Sequence, residues 1–255
     1  MKIGVVGLGL IGGSIFKALR DSGKYNVIGV SSSVKEDNVT NNYNSLKDCD
    51  LVFVCSPMNA VLEVLDKLNN ILSSNTLVTD VCSLKEFVSK QKYNFKFIPS
   101  HPMAGTEYSG WENSFAELFN NAKWVITPID GDVLPDQELL ENIIKELGAE
   151  PVITSADEHD KAVALISHFP LVLAQALCEN IKDNKLAQIL ASTGFKDTTR
   201  LALSNTQMAN DMINLNNENI RVAYQSFKDC FEKIITSHYK ENADRIKCFR
   251  ENLYN

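Results

Sequence analysis

Apolar residues in the first part of the chain occur in short runs, several of them separated by longer stretches with helical spacing. The runs are β-branched or nearly continuous in apolar character, which is typical of strands buried on both faces. Apolar positions three or four apart, as at Val61, Leu65, Leu68 and Leu72, indicate amphipathic helices between them. This alternation predicts an α/β fold with a mostly parallel sheet. The predicted strands cover residues 2–6, 26–30, 50–55, 76–79, 95–98, 123–127 and 151–154, and the predicted helices cover 13–20, 61–72, 111–120 and 136–147.

The segment after the second strand does not follow this alternation. Residues 34–44 are rich in asparagine and have little apolar periodicity. We expect the crossover helix at this point to be missing or reduced to a turn. Further along the chain, Gly148 follows a predicted helix and is a plausible residue to end it.

From Ala156 onward, helical spacing replaces the strand pattern. One apolar stripe runs through residues 162–177, and Pro170 must kink or interrupt that helix. A second helical segment, residues 217–254, carries apolar positions that would face a core or a partner subunit. We therefore predict two domains, with residues 1–155 forming the sheet domain and residues 156–255 forming an all-α domain.

The composition is that of an ordinary soluble globular protein. The 255 residues are 44% hydrophobic and 22% charged, and the formal net charge is −7. This balance argues against a nucleic-acid surface, which relies on clustered Lys and Arg. The six cysteines show neither a C-x-x-C motif nor zinc-like spacing with the four histidines, so no metal site is predicted.

The N-terminal residues predict a cytoplasmic protein. The first strand begins at Lys2, which leaves no room for a signal peptide. No apolar run approaches the roughly 18 residues of a membrane span. The cysteines look like buried thiols in a reducing compartment. We expect neither a membrane nor a nucleic acid as a partner.

A glycine-rich loop follows the first strand directly and precedes a helix. In this G-x-G-x-x-G motif, Gly7 allows a tight turn, Gly9 lets the backbone approach a pyrophosphate, and Gly12 lets the helix pack on the strand. The helix N-terminus offers N–H groups to the phosphates, and the alternative is a purely structural turn. We predict a Rossmann-type, doubly wound dinucleotide-binding domain. The cofactor-binding candidates are Gly7, Gly9, Leu10, Ile11 and Gly12.

The end of the second strand lacks the acidic residue that usually holds the ribose hydroxyls of NAD. Ser31 occupies that position and Ser32 follows, with Lys35 nearby. The serines and the lysine could bind a 2′-phosphate, but there is no arginine, so the choice between NAD and NADP stays open. Ser56 and Pro57 end the strand at residues 50–55 and are further candidates for the cofactor crevice.

Two loops carry groups suited to proton chemistry. His101 follows the apolar run at residues 95–98, where we expect it at the carboxyl end of a strand, and Thr106 and Glu107 lie on the same glycine-broken loop. A structural histidine that caps a neighbouring carbonyl is the alternative. Ser83 could contact the nicotinamide, or it could merely cap a helix that starts near Leu84.

A second concentration of polar residues follows Thr193. Lys196 and Arg200 are four residues apart and would share one face of a helix, which supplies the paired cations that an anionic substrate requires. The alternative is a solvated face with Asp197 as counter-ion. His168, beside the long apolar stripe, is by itself more typical of a structural histidine.

Five sequence blocks together resemble the prephenate/arogenate dehydrogenase family. They occur in the family's order and span most of the chain. The second, third and fifth blocks contain Ser83, His101 and Arg200. The blocks read Gly-Leu-Gly-Leu-Ile-Gly-Gly-Ser, Asp-Val-Cys-Ser-Leu-Lys, His-Pro-Met-Ala-Gly-Thr-Glu, Ile-Ser-His-Phe-Pro and Gly-Phe-Lys-Asp-Thr-Thr-Arg.

The resemblance implies the oxidative decarboxylation of prephenate to 4-hydroxyphenylpyruvate in tyrosine biosynthesis, with NAD as cofactor or NADP as the alternative. It implies that His101 is the hydrogen-bond acceptor or general base for the substrate hydroxyl, that Ser83 orients this hydroxyl and the nicotinamide, and that Arg200 binds a substrate carboxylate. It also implies a homodimer formed through the C-terminal helices. The remaining substrate-binding candidates are Lys196, Thr106, Glu107 and His168.

Other functions remain open at this stage. Arogenate, alone or alongside prephenate, is the first alternative substrate, because no residue clearly recognises the side-chain keto group. A dehydrogenase of the hydroxyacid or imino-acid type would share the first domain but leave the His101 and Arg200 blocks unexplained. A non-catalytic nucleotide-binding sensor is a remote alternative.

Overall fold

The computed structural model describes residues 1–106, 108–129, 135–236 and 238–254. By packing, the chain forms two compact units. The first comprises Met1–Val163 and Leu203–Leu215, and the second comprises Ala164–Ala202 and Asn216–Asn255. The first helix beyond residue 155 therefore packs with the sheet, and a later helix returns to it. The domain boundary at residues 155 and 156 stays a prediction.

A six-stranded, fully parallel sheet forms the centre of the first unit, in the order β3-β2-β1-β4-β5-β6. The chain moves outward from β1 to β3 and returns beside β1 at β4, so the connections after β1 and β4 diverge and leave a crevice. Val6 is level with Val30 and Val54, and Val54 is level with Asp80, so four strands end at one edge. The strands are β1 (Lys2–Val6), β2 (Asn26–Val30), β3 (Val39–Thr40), β4 (Leu51–Val54), β5 (Leu77–Asp80) and β6 (Lys96–Phe97).

Helices pack around this sheet largely where the apolar periodicity predicts them. Gly148, just after the fourth helix, has φ +87°, the left-handed conformation that ends a helix without strain only at glycine. Residues 34–44 contain only β3 and the start of a 3₁₀ turn at Tyr43–Leu46, so the prediction of a missing crossover helix is confirmed. The helices up to residue 163 are α1 (Leu10–Asp21), α2 (Met58–Asn69), α3 (Glu86–Ser89), α4 (Pro135–Glu146) and α5 (Ala156–Val163).

The single helix predicted over residues 111–120 is wrong. The chain forms two 3₁₀ turns instead, Trp111–Asn113 and Ala116–Phe119, separated by an extended Ser114. The Ser114 carbonyl accepts a hydrogen bond from Lys17 Nζ at 2.7 Å, and a Cβ on Gly13 would lie 2.6 Å from Ser114 Oγ. Close packing on α1 therefore interrupts the local helical preference.

A second sheet of three strands contains the histidine loop. Its strands are β7 (Ser100–Pro102), β8 (Lys123–Ile126) and β9 (Glu150–Ile153), with β7 antiparallel to β8 and β8 parallel to β9. We expected His101 at the carboxyl end of the strand formed by residues 95–98. That strand, β6, ends at Phe97, and His101 lies inside β7 instead. This correction arises because Ser100 pairs with Ile126 of β8 and leaves the main sheet's ladder. The predicted fold class, a mostly parallel Rossmann-type sheet followed by an all-α part, is confirmed.

The described secondary-structure elements of the second unit are all helical. The predicted interruption at Pro170 takes the form of a π-helical turn at Ala164–His168, immediately before α6. Phe169 packs on Phe227 with ring centroids 5.2 Å apart. The remaining helices are α6 (Phe169–Ile181), α7 (Lys185–Leu190), α8 (Thr193–Thr198), α9 (Thr206–Leu215, in the first unit), α10 (Asn217–Thr236) and α11 (Tyr239–Leu253).

One helical run, Ala156–Ile181, is long and apolar enough to cross a membrane. Length and composition alone are weak grounds, because the core helix of a soluble protein passes the same test. The expectation that no segment approaches the length of a span was nevertheless too strong.

Candidate active site

The three glycines of the loop after β1 differ in their surroundings. Two are required by the backbone packing, and the third borders open space. Gly7 has φ +85°, and a Cβ there would lie 2.8 Å from the carbonyl oxygen of Cys55. A Cβ on Gly12 would lie 1.9 Å from the carbonyl oxygen of Gly7, so α1 packs on the loop only with glycine here. A Cβ on Gly9 would meet no atom within 4 Å. Gly9 therefore borders open space that a ligand could fill, as a pyrophosphate does in this motif.

The N-terminus of α1 suits an anion. Gly9 is its N-cap and supplies no side-chain hydrogen bond, and the first turn, which includes Leu10 and Ile11, contains no acidic residue. Backbone N–H groups and the helix dipole at such an end favour phosphate. Ser56 and Pro57 lie between β4 and the start of α2, at the same edge of the sheet. These residues fit a dinucleotide.

A cleft of about 600 Å³ lies beyond the end of β2. Ser31 Oγ accepts hydrogen bonds from the N–H groups of Ser33 and Val34, at 3.3 and 3.2 Å, so its side chain shapes the turn. The cleft contains charges of both signs, which leaves the choice between a ribose diol and a 2′-phosphate open. The residues that line it include Ser31, Ser32, Lys35, Glu36 and Asp37.

A buried ion pair holds the loop after β5. Lys85 Nζ lies 2.5 Å from Asp80 Oδ2 and 2.6 Å from the carbonyl oxygen of Ser100, and the Lys85 and Asp80 side chains are both 0% exposed. Asp80 Oδ2 also accepts the N–H of Cys82 at 2.9 Å. The pair is hydrogen-bonded on both sides, which is the condition for burying charge without a large penalty. It joins the end of β5 to β7, next to His101.

Ser83 lies on this loop and is half-buried. Its hydroxyl is 3.6 Å from Met58 Sδ, at the start of α2. The alternative role as cap of a helix near Leu84 is wrong, because α3 begins at Glu86 and the carboxylate of Asp160 accepts the N–H of Glu86 at 2.9 Å. The Asp160 carboxylate, which is distant in sequence, therefore caps α3 in place of Ser83.

His101 belongs to a chain of three hydrogen-bonding side chains. It lies in β7 opposite Val125, and its Nδ1 is 3.0 Å from Nε2 of His159. Nδ1 of His159 is in turn 2.7 Å from Oδ1 of Asp160. His159 and Asp160 are both 3% exposed, whereas His101 is half-buried. His159 and Asp160 are not among the site residues predicted from the sequence, although a His-Asp pair just after the last strand was a usable signal.

Two cysteines near the nucleotide edge are poor nucleophiles. Burial raises the pKa of the Cys82 thiol well above its usual value, and the Asp80 carboxylate raises it further. Burial, reinforced by Asp80, likewise raises the pKa of the Cys55 thiol. Both stay protonated at neutral pH and act as apolar packing groups.

The rest of the His101 loop is only partly described. Thr106 is exposed, and its hydroxyl accepts the N–H of Tyr108 at 3.2 Å. Glu107, predicted to bind substrate, lies outside the described residues.

The cation pair of the second unit is arranged differently from the prediction. Lys196 lies in α8, but that helix ends at Thr198, and Arg200 begins a 3₁₀ turn, so the two do not share one regular helix. The hydroxyl of Thr199 donates a hydrogen bond to the carbonyl oxygen of Phe195 at 2.7 Å. Such side-chain bonds to the backbone compete with regular helical hydrogen bonds. Lys196 and Arg200 are both exposed, and within the described residues neither forms an ion pair with Asp197.

His168 is a buried residue of the second unit. It is 1% exposed, and its Nδ1 lies 3.1 Å from Nδ2 of Asn216. This partner fits the structural alternative, and it also orients the ring. Ser83 and His101 lie in the first unit, whereas His168, Lys196 and Arg200 lie in the second.

The fold defines the class: a Rossmann-type dinucleotide-binding protein with a six-stranded parallel sheet and a helical C-terminal part. A family model described as the prephenate dehydrogenase nucleotide-binding domain matches residues 17–153, and one described as the prephenate dehydrogenase dimerization domain matches residues 155–251. The chain belongs to the prephenate dehydrogenase family, as the resemblance implied.

Individual relatives agree with this assignment. The prephenate dehydrogenase of Lactococcus lactis is 31% identical over 98% of this chain and 75% of its own length. The crystal structure of prephenate dehydrogenase from A. aeolicus in complex with hydroxyphenyl propionate and NAD+ has a TM-score of 0.87 at 27% identity, covering 99% of this chain and 98% of that one. Synechocystis arogenate dehydrogenase has a TM-score of 0.83 at 32% identity, covering 99% and 97%.

Proposed function

We propose that this protein is an NAD-dependent prephenate dehydrogenase that converts prephenate to 4-hydroxyphenylpyruvate and carbon dioxide. The observation that carries the proposal is the half-buried imidazole of His101 in β7, whose neighbour Ser100 is hydrogen-bonded to Asp80 at the end of β5. The family membership gives the reaction. The site gives the group that can handle its proton.

The reaction requires a proton acceptor at one oxygen of the substrate. The ring carbon that bears the hydroxyl loses a hydride while the O–H bond breaks and a C=O bond forms. Loss of the ring carboxylate as carbon dioxide then makes the ring aromatic, and the oxygen regains a proton as a phenol. NAD supplies the hydride acceptor when it is bound. No proton is gained or lost overall, so one group can take the proton and return it.

His101 is the proposed holder of that proton. A neutral imidazole accepts a proton at neutral pH and releases it readily. Ser83, on the loop braced by Lys85, would hydrogen-bond the same hydroxyl and keep it in line with the hydride acceptor. Gly7, Gly9 and Gly12 would hold the pyrophosphate through backbone alone.

Residues of the second unit are proposed to bind the anionic groups. Prephenate carries two carboxylates, and the exposed Arg200 can bind one of them with two parallel N–H donors. Lys196 would add positive charge. Thr106, Glu107 and His168 are proposed to line the substrate pocket. These roles rest on residue chemistry and on the family blocks that contain them.

A homodimer is proposed through the C-terminal helices. The matching family model is described as a dimerization domain. Large apolar side chains along α10 stay exposed in the single chain, and burying them against a second copy would be favourable. They are Val222, Tyr224, Phe227, Phe231 and Ile235.

Arogenate dehydrogenase is the second candidate function. It is favoured by the similarity to the Synechocystis enzyme, whose identity of 32% is as high as that to the prephenate enzymes. Ser31 at the usual position of the acid leaves NADP as the alternative cofactor.

Formation of reduced nicotinamide tests both candidates. Purified protein is given prephenate or arogenate, each with NAD and with NADP, in four parallel assays. We expect turnover of prephenate with NAD. Turnover of arogenate alone would replace the first candidate by the second. Absence of turnover in all four, from folded protein that binds nucleotide, would refute the proposed function and favour a nucleotide sensor.

A further inference from the structure

The histidine that faces the proposed chemistry is backed by two buried side chains with no assigned role. Nδ1 of His101 meets Nε2 of His159 at 3.0 Å, and Nδ1 of His159 meets Oδ1 of Asp160 at 2.7 Å. The two rings are nearly perpendicular, at 80°, so the first contact is not ring stacking. A chain of two histidines and a carboxylate, His101, His159 and Asp160, therefore runs inward from the site.

Asp160 sets the direction of the hydrogen bonds. Its Oδ1 also accepts the N–H of Lys85 at 2.8 Å, and its Oδ2 accepts the N–H of Glu86 at 2.9 Å. A carboxylate in this setting only accepts. Nδ1 of His159 must then donate, which leaves its Nε2 as an acceptor when the ring is neutral.

The His159 ring in turn fixes the tautomer of His101. Because Nε2 of His159 accepts, Nδ1 of His101 donates, and Nε2 becomes the accepting nitrogen of His101. A neutral histidine has one donor and one acceptor, and the bond on one nitrogen fixes the role of the other. An uncoupled imidazole would divide its population between both tautomers.

We propose that His159 and Asp160 are positioning residues that hold His101 in the Nδ1–H tautomer, with Nε2 as the atom that accepts the substrate proton. The inference rests on the proposed function only for the identity of that proton. When the substrate O–H bond breaks, an N–H bond forms at Nε2, and His101 becomes an imidazolium. Its Nδ1–H then points at the lone pair of His159, whose other nitrogen is held by the Asp160 carboxylate. The proton returns from Nε2 to the phenolic oxygen after decarboxylation.

Asp160 has a second consequence for the site. By accepting the N–H groups of Lys85 and Glu86, it ties α5 to the loop that carries Ser83. Ser83 and His101 therefore depend on the same buried carboxylate. A substitution at Asp160 would affect both the tautomer and the loop, whereas one at His159 retains the carboxylate that accepts the N–H groups of Lys85 and Glu86.

Nitrogen-15 NMR of the histidine rings tests the inference without any turnover. The chain contains four histidines, so the ring signals are few and can be assigned by single substitutions. At alkaline pH, where free imidazole is neutral, we expect His101 and His159 both in the Nδ1–H form. In Asp160→Asn we expect the two rings to shift toward mixed tautomers. His101 in the Nε2–H form in the wild-type protein would overturn the inference.

Kinetics supply the second measurement. In His159→Phe, whose ring can neither accept the Nδ1–H of His101 nor donate to Asp160, we expect kcat for the preferred substrate to fall roughly 10- to 100-fold, while KM and nucleotide affinity stay near wild type. Asp157→Asn is the matched control on the same helix, because Asp157 is exposed and its ion-pair partner among the described residues is Lys161. Unchanged kcat in folded His159→Phe would overturn the inference.

The two measurements separate this inference from the proposed function. If no substrate is turned over but the wild-type rings show the Nδ1–H form, the positioning of His101 by His159 and Asp160 stands and the proposed function fails. If turnover is found but His101 is the Nε2–H tautomer, the proposed function stands and the inference about His159 and Asp160 fails. A variant that does not fold leaves the wild-type tautomer to decide.

Discussion

Replacing Lys85 by methionine should strongly destabilise the first unit. The side chain is 0% exposed, and its ammonium group contacts Asp80 Oδ2 at 2.5 Å and the Ser100 carbonyl at 2.6 Å. Methionine has a similar volume but cannot donate a hydrogen bond. The substitution would leave Asp80 as a buried carboxylate with backbone donors but no counter-ion.

The size of the effect follows from this geometry. Removing one partner of a buried ion pair costs about 3–5 kcal/mol, because the other charge stays buried and uncompensated. For a unit of this size each kcal/mol lowers Tm by roughly 2–4 °C, so a decrease of about 6–20 °C is expected. The loss of the bond to Ser100 should also lower kcat, since His101 is the next residue.

Thermal and urea unfolding measure the effect, with Lys96→Met as the control. Lys96 pairs with Asp136 at the surface, where its side chain is 43% exposed, so its replacement should cost no more than about 1 kcal/mol. The double variant Asp80→Leu, Lys85→Met should be less destabilised than the sum of the single variants. A Lys85→Met protein as stable as Lys96→Met, or strictly additive single effects, would refute the account of the pair.

Four further substitutions address the nucleotide loop and the proposed chemistry. Gly12→Ala should destabilise the protein and weaken NAD binding, because the added Cβ would lie 1.9 Å from a backbone oxygen, whereas Gly9→Ala should change stability by less than about 1 kcal/mol and weaken NAD binding; calorimetric unfolding and titration with NAD would contradict this if both variants behaved alike. His101→Asn should lower kcat roughly 10²- to 10⁴-fold with KM near wild type, and steady-state kinetics showing unchanged kcat would remove His101 from the reaction. Arg200→Gln should chiefly raise KM, by roughly 10- to 100-fold for the loss of a charge-assisted hydrogen bond, and an effect on kcat alone would indicate a transition-state role instead.

Several features could be predicted from the sequence because local patterns encode them. The parallel strands follow from short β-branched runs, and the roles of Gly7 and Gly12 follow from their spacing between a strand and a helix. The missing crossover helix at residues 34–44 follows from composition. His101 and Ser83 were found as candidates because they lie on polar loops after apolar runs. In each case the information lies within a few neighbouring residues.

Tertiary structure decided which groups these candidates meet. His159 follows His101 by 58 residues, and Asp160 follows Lys85 by 75. No local periodicity relates such positions. The helix expected at residues 111–120 was lost to packing on α1, and β7 left the main sheet to pair with β8. Sequence alone therefore identified the nucleotide loop and the candidate side chains for the chemistry, whereas the buried groups that these side chains contact depend on contacts between distant segments, which only the folded chain specifies.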